Sequence, residues 1–156
     1  MSKYVIHAAS MAAASLAWIL AAPALAADAV NVVDGLALRG FDPVAFFIQK
    51  QPVMGSPQFT AVHEGATYEF ANADDKAAFE ADPAKYLPQY GGFCAAATSH
   101  GRKVDADPRQ FTINHGKLYV NYNHEANEAF QKDVEASIKA ADEKWPEVKT
   151  VEDVIR

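Results

Sequence analysis

The sequence predicts an α+β fold in which small antiparallel β-hairpins pack with several short helices and one long C-terminal helix. Three observations carry this expectation. Two pairs of aromatic and β-branched runs are each joined by a short turn containing glycine. Apolar residues after Asn123 recur at helical spacing. The strand candidates join through tight turns rather than long crossovers, which disfavours a doubly wound parallel sheet.

Residues Ala27 to Leu38 form a lead-in with a turn at Asp34-Gly35. Asp42-Pro43 opens a short helix: the carboxylate can accept backbone N–H bonds, and proline at the first helical position needs none of its own. Phe59 to Val62 and Thr67 to Phe70 flank the turn of the first hairpin, which contains Gly65. Asn72 caps a helix from Ala73 to about Ala81, with Asp74 and Asp75 at its positive end. Asp82-Pro83 repeats the cap-then-proline device and restarts a helix through Tyr86-Leu87.

Pro88 to Gly92 is a break, after which Phe93 to Ser99 reads as a helix rich in alanine and closed by Gly101. The polar run Arg102 to Arg109 reads as a loop, and Asp105-x-Asp107 within it as a solvated turn. Phe111 to Ile113 and Leu118 to Val120 form the second hairpin. Asn123 caps the long helix, in which Ala126, Phe130, Val134, Ile138, Ala141 and Trp145 hold one apolar side until Pro146 ends it. The segment 147–156 is polar enough to be mobile or weakly docked. No repeat of the solenoid kind is present, although two hairpins each followed by a helix suggest a loose two-part plan.

The first residues carry an export signal. Lys3 and the amino terminus are positive, Ala8 to Ala22 is apolar without an ionisable group, and Pro23-Ala24-Leu25-Ala26 ends in the small-x-small pattern of a cleavage site. Residues 1–26 are therefore expected to be removed, leaving a domain over 27–146 and the polar tail. The apolar stretch falls short of the roughly 20 residues a membrane span needs, so no stable membrane insertion is expected after processing. The absence of an arginine pair favours the general export route. The remaining 130 residues hold 13 Lys and Arg against 20 Asp and Glu, a net charge of −7. Such a balance repels phosphate backbones and disfavours a nucleic-acid partner.

Asp42-Pro43-Val44-Ala45, Tyr68-Glu69-Phe70-Ala71 and Asp82-Pro83-Ala84-Lys85-Tyr86-Leu87, followed by Tyr90-Gly91-Gly92-Phe93-Cys94, together resemble the YHS domain family in its branch of exported bacterial proteins. The resemblance runs on to Asn121-Tyr122-Asn123 and Trp145-Pro146 and implies a periplasmic location. Cysteine-bearing YHS and TRASH domains handle metals with a pattern resembling Asp-Pro-Val-Cys-Gly, then Tyr-x-Phe-Cys-Ser, then a further Cys. Here Ala45 and Ala71 stand at the first two of those positions, and 73–76 contains no cysteine. The family's zinc-like site therefore does not carry over.

A replacement site would use the single cysteine, Cys94, with a histidine from among His63, His100, His115 and His124. A thiolate beside imidazoles suits copper or zinc. Cys94 and His100 are six residues apart, roughly 120° around a straight helix, so they share a ligand only if the helix ends before His100. Two alternatives stay open. A small organic ligand would sit where Tyr90, Gly91, Gly92 and Phe93 meet the Asp42-Pro43 helix start, and a protein-interaction module would engage another exported protein without metal. A Cys94-dependent enzyme with a histidine base and Asp105 or Asp107 as orienter is the least favoured reading, because Cys-Ala-Ala has no nucleophile-elbow or papain-like context.

Overall fold

A computed structural model describes residues 29–156. The expected leader, 1–26, lies outside the described residues. The fold is α+β, with two sheets and helices distributed between them.

The lead-in forms a minute hairpin, β1 (Val32–Val33) and β2 (Leu36–Ala37), turning at Asp34-Gly35, and Leu36 pairs in parallel with Thr67. A 3₁₀ turn and the short helix α1 (Ala45–Ile48) follow. The first hairpin is β3 (Ser56–His63) with β4 (Ala66–Phe70), then come α2 (Ala73–Ala81) and α3 (Pro83–Tyr86). The sheet order is β1-β2-β4-β3. After a second 3₁₀ turn and the short helix α4 (Ala95–Thr98), the second hairpin pairs β5 (Asp107–Asn114) with β6 (Lys117–Asn121). The chain closes with α5 (His124–Lys132) and α6 (Val134–Val148).

The two-part plan is tighter than a shared order of elements. Gly65 and Gly116, Tyr68 and Tyr119, Asn72 and Asn123, Phe79 and Phe130, and Asp82 and Asp133 are each 51 residues apart. Each pair does the same work. Both glycines sit at positive φ in hairpin turns, 81° and 72°. Both asparagines are extended caps that accept the third helical amide, and both phenylalanines are fully buried. The preceding turns match at a spacing of 52: Phe41 N–H bonds Leu38 O at 2.9 Å, and Phe93 N–H bonds Tyr90 O at 3.0 Å. The first unit thus carries one more residue between its short helix and its hairpin.

Three expectations need correction. A long C-terminal helix is present as α6, but the span expected from Asn123 to Trp145 is divided into α5 and α6, because Asp133 takes φ −147° and ψ 80° and its carboxylate accepts the Ala136 N–H, just as Asp82 breaks α2 from α3 at φ −151° and ψ 77°. Pro146 lies inside α6 rather than ending it. The tail is docked: Ile155 pairs with Val104, with Asp105 N–H to Ile155 O at 2.8 Å and Ile155 N–H to Lys103 O at 3.0 Å. Backbone pairing needs no apolar side chains, which is why polarity misdirects the sequence reading there.

Each unit has its own apolar core, one around Tyr68, Phe70 and Phe79 and one around Tyr119 and Phe130. A third cluster crosses between them, packing Leu38 and Phe46 of the first unit on Leu118 and Val120 of the second. Among the described residues, no helix is long and apolar enough to cross a membrane.

Candidate functional site

The site is easiest to derive from the two residues that occupy equivalent places at the starts of α1 and α4. Asp42 is fully buried, and its main-chain N–H bonds Val53 O at 2.8 Å. One carboxylate oxygen accepts the amides of Val44 at 2.8 Å and Ala45 at 3.3 Å, and the other accepts Ala71 N–H at 2.8 Å. Burial drives this carboxyl up to about 6; the Ala71 and Val44 amides oppose that, and hydrogen bonding and charge from Asp75 add to it. Asp75 is itself buried.

Cys94 lies 52 residues on, in the same nest. Its N–H bonds Val104 O at 2.9 Å, its sulfur accepts Ala97 N–H at 3.4 Å, and the amides of Tyr122 and Ala96 also favour its charged form. Tyr122 is the counterpart of Ala71. Burial nevertheless pushes the Cys94 thiol up, against the pull of those amides and of Arg102. The thiol therefore rests protonated at neutral pH and points its hydrogen towards Asn121 Oδ1, 3.8 Å away.

Asn121 replaces an apolar residue of the first unit, Phe70, and is as completely buried. Its Oδ1 accepts Ala96 N–H at 2.9 Å and its Nδ2 donates to Asn127 Oδ1 at 3.0 Å, to which Thr112 also donates at 3.1 Å. A second replacement opens space. Ala126 stands where the first unit has Asp75, so the methyl leaves room above the sulfur that a carboxyl fills above Asp42.

The result is a cleft of about 430 Å³ whose walls include Cys94, His100, Arg102, Val104, Ala126 and Ile155. α4 ends at Thr98, before His100, and both Cys94 and His100 line this cleft. A second compartment of about 640 Å³ adjoins it along Tyr122 and Asn123, with Arg39, Phe41, Ala106, Asp107 and Arg109 around it.

The other sequence candidates lie elsewhere. Tyr90 is buried and donates to Asp142 Oδ1 at 2.8 Å; burial and that carboxylate raise its phenol well above the ordinary range. A Cβ on Gly91 would come within 1.8 Å of Ala29 O, so this glycine admits the protein's own N-terminal segment rather than a ligand. Gly92 packs on Pro88, and Phe93 is buried beneath Lys103 Nζ, 4.9 Å from its ring centre. None of these four is among the residues lining the two compartments. His63 stacks edge-on against Phe79, His115 bonds Glu135 at 3.0 Å, and His124 faces Glu128 at 3.4 Å.

Asp105 is not in a solvated turn. It is buried, accepts Asn31 Nδ2 at 2.8 Å and Ala106 N–H at 2.7 Å, and pairs with Arg39. Asp107, half-buried beside the exposed Arg109, is bound by its guanidinium at 2.8 Å; burial alone would raise this carboxyl, but Arg109 holds it below the usual range.

The sequence reading missed Asn121, Arg102, Tyr122 and Ile155. One signal was available for Asn121: it follows the apolar run Leu118 to Val120 at the place where the first unit has Phe70. Among the described residues, no group of three or more His, Cys, Asp or Glu is arranged to hold a metal ion. Comparisons with family models, curated proteins and solved structures return no match.

Proposed function

We propose that the protein is an exported YHS-like binding module, not a catalyst, whose ligand enters the Cys94–His100 cleft, and that this pair takes a soft cation, Cu(I). The observation that carries the reading is the presence of the thiol and the imidazole on one cleft. The positions matching the family's metal cysteines are Ala45 and Ala71, whose methyl groups ligate nothing, so the site is a different one. Zinc prefers four tetrahedral donors. Cu(I) is satisfied by fewer and favours sulfur. Binding would displace the thiol proton, and the amides of Ala97 and Tyr122 would then stabilise the thiolate.

The test is titration of reduced protein with Cu(I) in competition with a Cu(I)-selective chelator, beside Cys94→Ser and His100→Ala. One equivalent should bind, with affinity lowered about 10-fold or more by either substitution. Equal, weak binding by all three proteins would remove the metal and leave a module for an organic ligand or a protein. The volume of the cleft favours the organic ligand as the second reading, since a single ion leaves most of it unfilled.

A further inference from the structure

The arginines of this chain are distributed with a strong bias. There are four, Arg39, Arg102, Arg109 and Arg156. Arg102 lines the Cys94 compartment, and Arg39 and Arg109 line its neighbour. Arg156 follows Ile155 of the cleft wall and sits 3.9 Å from the Asp105 carboxylate that Arg39 also holds. No lysine among the described residues lines either compartment. Lysine would serve equally well for solubility; a guanidinium offers planar, forked donors suited to carboxylates.

The arginines are only partly used by the protein. Arg39 donates through Nε to Ala106 O and through Nη2 to Asp105, and Arg109 donates through Nε and Nη2 to Asp107. In both, Nη1 makes no hydrogen bond to a described residue. The Arg102 guanidinium makes none to a described residue, although it lines the compartment with the apolar Val104, Ala126 and Ile155. Arg39, Arg109 and Arg156 face two carboxylates, Asp105 and Asp107, and Arg102 pairs with no carboxylate among the described residues, leaving a positive surplus on a chain whose net charge is −6.

We infer that the two compartments together bind a small organic dicarboxylate with an apolar body. One carboxylate meets Arg102, the other meets Nη1 of Arg39 and Arg109, and the apolar middle crosses the Tyr122–Asn123 ridge between Ala126 and Phe41. The site is independent of copper, because none of these groups is a metal ligand.

The test uses metal-free, reduced protein titrated with adipate, its neutral diamide and inorganic phosphate, followed by calorimetry and by amide resonances. Adipate should saturate and shift the amides of Ala106 and Ala126 together. Arg102→Gln and Arg109→Gln should each weaken it about 10-fold or more, whereas His115→Ala, away from both compartments, should leave it unchanged. Arg102 makes no side-chain hydrogen bond to a described residue and is exposed, so its variant tests binding rather than folding. Absence of adipate binding would overturn the inference, as would equal binding of the diamide, equal binding of phosphate, or full affinity in Arg102→Gln. Adipate binding by the metal-free protein, with no uptake of Cu(I) in the separate titration, would leave this inference standing while the metal reading falls.

Discussion

The two hairpin–helix units share a backbone plan and differ in what they place at its centre. In the first, a carboxylate fills the nest of amides, a second carboxylate lies against it, and phenylalanine closes the strand behind. In the second, the same three places hold Cys94, Ala126 and Asn121. In the first unit the space at the nest is filled by side chains. The second has exchanged an apolar plug for a hydrogen-bonded amide and a carboxyl for a methyl, which costs packing and produces a cleft. In both units the amides of the nest oppose, without cancelling, the rise that burial imposes on the group they hold.

The strongest way to break the comparison is in the cores. Phe79 and Phe130 are each 1 % exposed at equivalent positions. Phe79→Ala and Phe130→Ala should each cost about 3–5 kcal/mol in denaturant unfolding. A loss below about 1 kcal/mol for either would show that the equivalence is one of sequence spacing and not of packing.

A smaller effect is expected at the nests. Asp42→Ala strips three backbone amides of their acceptor and should cost about 2 kcal/mol or more. Cys94→Ala removes a weaker acceptor and should cost less, about 1 kcal/mol. Equal losses would mean the sulfur is held as firmly as the carboxylate.

The smallest effect is a dependence on pH that belongs to the first unit. Asp42 titrates at about 6 in the folded protein against 3.8 for the free group. Between those values the native state holds more protons than the unfolded chain, so this group's contribution to stability falls as pH rises through that window. Asp75→Asn should lower the Asp42 value and flatten that slope, as followed by urea midpoints at pH 5 and pH 7 and by the carboxyl carbon resonance. An unchanged slope would place the proton elsewhere.

Both hairpins, the Asn72 and Asn123 caps and the buried face carrying Phe130 were legible in the sequence, because each depends on neighbours within a few residues. The break at Asp133 was legible too, had it been set beside Asp82 rather than read against the apolar period alone. Tail docking was not, since Ile155 and Val104 meet through main-chain groups that every sequence possesses. At the site, Cys94 and His100 were named from their chemistry. Tyr90, Gly91, Gly92 and Phe93 satisfy the same composition rules for a pocket, yet composition does not reveal that Ala29 occupies the space beside Gly91. Arg39, Arg102 and Arg109 lie too far apart in sequence for any local pattern to join them.

The cluster of Leu38, Phe46, Leu118 and Val120 bears on how the molecule comes apart. Two residues from each unit form one continuous apolar contact, so neither unit can open without exposing the other's side chains to water. The units therefore melt as one cooperative body. A ligand bound through Cys94 and His100 alone should then slow the opening of amides in the first unit, which it does not touch.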